Sequence, residues 1–417
     1  MSTSIVEPFI PLTAGAGEAV RAPGTTFDIC LPGRAPRRIG RGQPAFRVVA
    51  NNARATAALL SFDELRIGEA YLDGDLDIEG SMLAALGLRS SFSDRHLLGH
   101  LWATYAEPLL FGQVNRDKKW IHEHYDNDPD FYLLFLDRTS RCYSHGYFAH
   151  DDEPLEAAIQ RKLDTALTSV GVGPGARVLD IGAGWGAFTQ HAARRGIRVT
   201  SLTISAESHR YVSDLIAREG LSSARVLLDH FLEHRASEPY DAIVNLGVTE
   251  HLPDYDATLA QYARLLKPGG RVFLDACSSR RKFPFTAFVR THIWPGNASP
   301  LALADYTAAL AKSPLELCEV KNDRRNYMLT TQRWAESLER HRDTIVARWG
   351  ERQYRRFRVY LWGCVQGFAS GNLGAYHLLL QLPEDGAGRV KERPILPWQS
   401  PLFALIRAAV RGGGSEP

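Results

Sequence analysis

Residues 178–186 read VLDIGAGWG, and AFTQHAARRG follows at 187–196. An apolar run closed by an acid reads as a buried strand. Gly182, Gly184 and Gly186, at alternate positions, read as a tight turn, and the next stretch as a helix. Such a unit brings backbone close to a ligand at the carboxyl end of a strand. The alternation then continues, with strands at RVTSLTIS (198–205), ARVLLDH (224–230), YDAIVNLG (240–247) and RVFLDACS (271–278). Helices are expected at AESHRYVSDLIAREG (206–220) and DATLAQYARLLKPGG (256–270). Upstream, DEPLEAAIQRKLDTALTSVGV (152–172) has apolar residues at helical spacing. The pattern predicts an α/β fold with a mostly parallel sheet covered on both faces.

The turn's spacing discriminates between ligands. A dinucleotide fold favours GxGxxG, with a pyrophosphate at the helix N-terminus. Here the glycines read GxGxG and Asp180 precedes them. A carboxylate there repels a pyrophosphate and suits a cationic ligand with an ammonium group. S-adenosylmethionine (SAM) carries one, and many SAM-dependent methyltransferases share this strand–acid–glycine arrangement. An NAD site and a tight turn without ligand are the competing readings. The second strand ends in Thr203 and Ser205 rather than in an acid for ribose hydroxyls. Asp229, after the third strand, suits the border of an adenine site, and equally a solvated or helix-capping aspartate.

The chain has 417 residues, enough for two or three domains, and its 45% hydrophobic content supports a sizeable core. A net charge of +2 gives no reason to expect nucleic acid. The five cysteines lack CxxC spacing, which argues against a disulfide framework or zinc site and for a cytoplasmic protein. MSTSIVEPFIPL lacks the marks of a signal peptide, and no apolar run suits a membrane span, so any membrane contact is expected to be peripheral, at the inner face.

Four segments are expected. Residues 1–110 form an N-terminal α+β accessory domain, irregular over 1–45 and then strand-like and helical. Residues 111–150 form a connector that contributes to the cofactor and active sites. Residues 151–390 form the catalytic domain, with a lid at about 279–330. Residues 391–417 form a tail. The stretch 330–371 reads as largely helical, and AYHLLLQL (375–382) as the strand that closes the sheet.

At HYDNDPDFYLLFLD (124–137), CYSHGYF (142–148), VLDIGAGWG, TIS (203–205) and LGVTEHL (246–252), the chain resembles the cyclopropane-fatty-acyl-phospholipid synthases. That family includes the mycolic acid cyclopropane synthases and methyltransferases. GEAYLDGDLDIEG (68–80) is similar to the extra N-terminal domain of the bacterial phospholipid enzymes. The resemblance implies a Rossmann-like SAM-dependent methyltransferase with a helical lid. It implies methyl transfer to a carbon of an isolated double bond, then proton loss from a carbocation to a site base. An unsaturated acyl lipid, or another alkene, is the implied substrate, and a homodimer through the N-terminal domain is suggested.

Carried over residue by residue, the resemblance places His124, Tyr125 and Asp126 near the cofactor and active site. It assigns Tyr143, Ser144, Asp180, Gly182, Gly184, Thr203 and Ser205 to SAM. Glu250 and Tyr327 match the family's active-site glutamate and tyrosine. Cys364 matches a cysteine near the substrate, although on an apolar helix face it also reads as a buried small hydrophobe.

The chain departs from the family at three places. His145 stands where cyclopropane formers carry the cysteine of YSCAY, and Asp275 where they carry a histidine. Ser208 or His209 replaces a glutamine. In the family the replaced cysteine and histidine help surround a bound bicarbonate that serves as base. A second carboxylate near Glu250 disfavours an anion, so a side chain such as His145, oriented by Asp275, is expected to take the proton instead. Cyclopropane, methylene and methyl products are all compatible with these changes. So are a methyltransferase of a non-lipid small molecule and a non-catalytic SAM- or lipid-binding homologue. In the lid, Arg280, Arg281, Lys282 and Arg290 interleave with Phe283, Phe285, Phe288 and Trp294. That mixture suits an anionic membrane surface, or a loop whose aromatics fold inward over the pocket.

Overall fold

The computed structural model describes residues 25–94, 96, 128–294 and 298–384. His124, Tyr125 and Asp126 lie outside the described residues, as do the rest of 111–127 in the expected connector and the tail.

The N-terminal domain is a four-stranded sheet with helices on it. Its strands are β1 (Phe27–Cys30), β2 (Arg37–Ile39), β3 (Phe46–Ala50) and β4 (Leu76–Gly80), in the order β2-β1-β3-β4. The expectation of irregular chain over 1–45 is corrected by β1 and β2. Phe27 pairs with Phe46 in parallel register, and their rings stack at 5.0 Å. A four-residue strand among Gly, Pro and Arg is too short to show a period. Helices α1 (Ala53–Ser61) and α2 (Glu64–Leu72) are capped by Asn52 and Asp63, whose side chains accept from the Ala55 and Arg66 N–H groups. A short α3 (Met82–Leu86) follows β4.

The larger domain is built on the sheet order β11-β12-β9-β8-β5-β6-β7. Its parallel part comprises β5 (Arg177–Ile181), β6 (Arg198–Thr203), β7 (Ala224–Leu228), β8 (Tyr240–Leu246) and β9 (Leu266–Ser279). Strand β12 (Gly374–Gln381) runs antiparallel beside β9, and β11 (Glu316–Asn322) antiparallel beside β12. Adjacent residues of each buried strand feed opposite cores: Val178 and Phe273 one, Leu179 and Leu274 the other. The first core also takes α4 (Pro129–Leu133), α5 (Leu155–Val170), α6 (Ala187–Ala193) and α10 (Arg324–Arg340). The second takes α8 (Tyr255–Leu265) and α9 (Leu303–Leu310). Helix α7 (Ala206–Glu219) runs from β6 to β7.

Two expectations need correction. AYHLLLQL does not close the sheet, because β12 lies inside it. The stretch 279–330 is not one lid, because β10 (Leu301–Ala302), α9 and β11 belong to the domain's sheet and cores. Every residue of β11 is exposed, so its composition lacks the apolar alternation by which strands are recognised. The expected helical stretch divides into α10, α11 (Arg342–Trp349) and α12 (Glu351–Ser370), with Gly350 at φ 86° between the last two. Among the described residues no helix is long and apolar enough to cross a membrane.

Helix α12 ties the two domains together. Arg355 donates to the Tyr71 and Leu76 carbonyls and to Asp77, and Arg358 to the Tyr71 hydroxyl. The Arg355 side chain is 13% exposed, so these bonds are shielded from water. Arg355→Ala should therefore cost about 2–3 kcal/mol, read as a lower urea midpoint and faster proteolysis between the domains.

Candidate active site

Two cavities open at the carboxyl end of the parallel strands, where open α/β sheets bind ligands. The first, about 160 Å³, is walled by the glycine turn, the ends of β6 and β7 and the loop after β8. All eight residues assigned to the cofactor line it: Tyr143, Ser144, Asp180, Gly182, Gly184, Thr203, Ser205 and Asp229. Gly182 has φ 83°, and a Cβ there would lie 2.3 Å from a Val248 methyl, so the turn can pass beside that loop only without a side chain. Ser205 caps α7 by accepting from Ser208 N–H, while the Ser208 hydroxyl donates to the Gly184 carbonyl. Asp229 bonds His234 at 2.8 Å.

Asp180 is 2% exposed. Burial pushes its carboxyl up to about 7, although hydrogen bonds from Ser201 and Thr189 and the charge of Lys162 pull the other way. The site thus holds a carboxylate short of positive charge. Lys162, on α5, is fully buried, and its ammonium donates to Ser144 and Cys142 and lies 3.5 Å from Asp275. Burial alone would neutralise it, but Cys142 and Asp275 outweigh that and hold the ammonium above its usual range.

The second cavity, about 540 Å³, is mostly apolar and shares Tyr143, Gly247 and His251 with the first. Glu250, Tyr327, Cys277 and Cys364 line it beside that junction. The N-terminal domain supplies another wall through Phe46, Val48, Ile67, Tyr71 and Met82. Of the lid, Phe285, Phe288 and Trp294 face this space, so these aromatics fold inward, while Arg280 and Arg281 stay exposed.

Glu250 sits in a single turn of 3-10 helix, Thr249–His251, directly after β8. Its Oε1 accepts from Cys277 N–H at 2.6 Å, and its Oε2 is buried without a hydrogen bond. Burial chiefly, with a smaller contribution from Asp275, pushes the carboxyl up to about 8. Burial likewise pushes the Cys364 thiol up to about 12, so it stands in the wall as a neutral group.

His145 and Asp275 do not line either cavity. This corrects the expectation that His145, oriented by Asp275, takes the proton, since a base must reach the carbon that loses it. Its ring is fully buried and stacks behind Tyr327, at 4.7 Å between centroids, and Tyr327 stacks in turn on Phe368. His145 lies between two carboxylates, Asp275 at 4.0 Å and Asp323 at 3.4 Å. The Glu250 Oε2 and Asp275 Oδ1 atoms and both His145 ring nitrogens are buried without hydrogen bonds. Sequence reasoning overlooked Lys162, His251, Asp323 and His377. A lysine at a core position of an amphipathic helix was the legible sign for the first.

The sequence profile of the family described as "Mycolic acid cyclopropane synthetase" matches residues 113–378. The chain belongs to that family. One member, cyclopropane mycolic acid synthase 1 of Mycobacterium tuberculosis, is 33% identical over 269 residues, 60% of this chain and 92% of the relative. The crystal structure of mycolic acid cyclopropane synthase CmaA1 complexed with SAH and CTAB superposes with a TM-score of 0.59 at 30% identity, covering 63% of this chain and 98% of that one. Coclaurine N-methyltransferase bound to N-methylheliamine and SAH shares the fold, with a TM-score of 0.60 at 18% identity over 75% of this chain and 98% of that one.

The raised carboxyls fix a pH dependence of stability. Asp180 and Glu250 stay neutral in the folded chain up to about 7 and about 8, but ionise near 3.8 and 4.5 when it unfolds. Between those values the folded state binds more protons, so stability falls as pH rises. The double variant D180N/E250Q should lose less melting temperature than the unmodified protein between about pH 5 and about pH 8 in scanning calorimetry.

Proposed function

We propose that the chain transfers the methyl carbon of SAM to a double bond of an unsaturated acyl chain, with Glu250 as the base that takes the proton. The observation that carries this reading is the junction of the two cavities. A small site with an under-compensated buried carboxylate adjoins a larger, mostly apolar one, the two sharing Tyr143, Gly247 and His251.

SAM supplies an electrophilic methyl on a sulfonium. Asp180 and the backbone of Gly182 and Gly184 would hold its cationic end, and Thr203, Ser205 and Asp229 its nucleoside end. The acyl chain would lie in the second cavity, its double bond at the junction. The π electrons would form a bond to the methyl carbon as its C–S bond breaks and the pair returns to sulfur, leaving S-adenosylhomocysteine and a cation on the acyl chain. Phe285, Phe288 and Trp294 line this cavity, and their apolar surfaces would help keep water from that cation. Glu250 then removes a proton from the transferred carbon, and the C–H electron pair closes the ring. A carboxyl held near 8 is matched to that task at neutral pH, and a cation nearby favours its ionised form. Proton loss from a neighbouring carbon gives the methylene product from the same cation.

Lipids from a host expressing the chain should gain one CH2 per modified double bond by mass spectrometry, with upfield ring protons in NMR marking cyclopropane. A gain of CH4 would identify a methyl branch instead. Unchanged lipids, and no S-adenosylhomocysteine from purified protein supplied with SAM and unsaturated lipid, would reject the reading. Glu250→Gln should lower kcat by roughly 10²–10⁴-fold with SAM binding retained. Asp180→Asn should weaken SAM binding at least about tenfold by calorimetry. Stripping bicarbonate from the buffer should leave the rate unchanged. The exposed Arg280 and Arg281 support peripheral contact with anionic headgroups, to be seen as vesicle co-sedimentation that weakens with salt.

A further inference from the structure

Helix α5 carries a lysine that the mechanism above does not use. Lys162 stands among Ile159, Leu163 and Ala166 on the buried face of that helix and is 0% exposed. Taking an ammonium out of water is expensive, and a core repays it only through well-placed partners. Lys162 has three N–H donors and three partners: Ser144 Oγ at 2.5 Å, Cys142 Sγ at 3.3 Å and Asp275 Oδ2 at 3.5 Å. The ammonium thus lies nearer a neutral hydroxyl than its carboxylate. An ion pair that served stability alone would favour direct contact, at about 2.7–2.9 Å.

Lys162 lines neither cavity, but Cys142 and Ser144 both line the first. The loop that bears them is pinned. Asp137 is buried and accepts from the Ser140 and Cys142 N–H groups, at 2.5 and 2.7 Å. Gly247, at φ 70°, packs so closely that a Cβ there would lie 3.2 Å from the Ser144 Cβ. The Ser144 oxygen accepts from Lys162, so its own O–H points elsewhere. The Cys142 sulfur, 3.4 Å away, is a weak acceptor that already faces the ammonium. An anionic acceptor in the cavity would take that hydrogen better, and the charge behind the hydroxyl would strengthen the bond. Arg141 also lines the cavity, but it donates to the Thr139 and Trp185 carbonyls and to Gln190. Asp180 lines the same space at the glycine turn. One small site thus has a positive pole behind Ser144 and a carboxyl at Asp180.

We propose that Lys162 is a positioning residue that orients and polarises Ser144 toward the carboxylate of SAM, so that the site selects a methyl donor bearing that carboxylate. The proposal rests on the reading above that the first cavity holds SAM. The amino-acid end of SAM is a zwitterion, and its two charges need opposite surroundings. Its ammonium suits Asp180. Its carboxylate needs a hydrogen-bond donor backed by positive charge, which Ser144 and Lys162 supply together. Lys162 touches neither donor nor acyl chain; it acts through the hydroxyl it holds. Asp275, on its far side, keeps the ammonium charged in a place where burial alone would neutralise it.

The test is calorimetric binding of SAM and of decarboxylated SAM, which keeps the sulfonium, the nucleoside and the ammonium and lacks only the carboxylate. The unmodified protein should bind SAM roughly tenfold or more tighter than the decarboxylated donor. Removing Lys162 alone would strand Asp275 in the core, so the double variant K162M/D275N takes out both charges together. In that variant the preference should all but vanish, through weaker SAM binding with the affinity for decarboxylated SAM unchanged. Ser144→Ala, which leaves Lys162 and Asp275 in place, should lose the preference as well. Asp180→Asn is the contrast: it should weaken both donors alike, because both keep the ammonium. A merely structural role for Lys162 would weaken both donors equally in K162M/D275N, and an unchanged ratio there would overturn the proposal. So would equal binding of the two donors by the unmodified protein. Binding of neither donor by the unmodified protein would overturn the functional reading and the proposal with it.

Discussion

The placement of charge where water is excluded governs this protein. Four carboxylates, Asp180, Glu250, Asp275 and Asp323, gather at the carboxyl edge of the sheet. Isolated ions there would be expensive, so each is either paired or held partly neutral. Lys162 faces Asp275, and His145 and His377 converge on Asp323. Asp180 and Glu250 are left under-compensated, and they line the first and second cavities respectively. The two acids that burial pushes up are thus those beside which a cation would arrive or form.

The fold supplies the geometry this needs. Parallel strands deliver β5 and β8 to one edge, so the glycine turn and the Glu250 turn face each other across the cavity junction. The N-terminal domain then closes the apolar side. Its core takes in Phe288 and Ile293 of the lid, and a Cβ on Gly68 would strike the Phe288 ring at 2.3 Å. Arg355 and Arg358 hold that domain on α12, so the shape of the second cavity depends on a junction far from the chemistry.

His145 and Asp275 are the positions where the family resemblance led one to expect a cysteine and a histidine. In the folded chain the His145 imidazole lies between two carboxylates, Asp275 and Asp323, and His377 meets Asp323 from the other side.

The α/β class and the parallel strands were legible in the sequence, because glycine spacing and apolar period are local properties of the chain; Tyr143, Ser144, Thr203 and Ser205 were assigned only through the family resemblance. Asp180 before GxGxG and Glu250 after a strand carry their meaning in their own neighbours. Lys162 could have been noticed as a cation in the apolar stripe of α5, between Ile159 and Leu163. What tertiary structure decided is everything that depends on distance across the chain. Strand β11 lacked a pattern because an edge strand buries no face. His145 was expected to serve as the base, whereas packing put it behind Tyr327. Asp323 and His377 are 54 residues apart and meet only once β12 inserts beside β9. Periodicity records which face of an element is apolar; which charges face each other across the core is set when the elements dock.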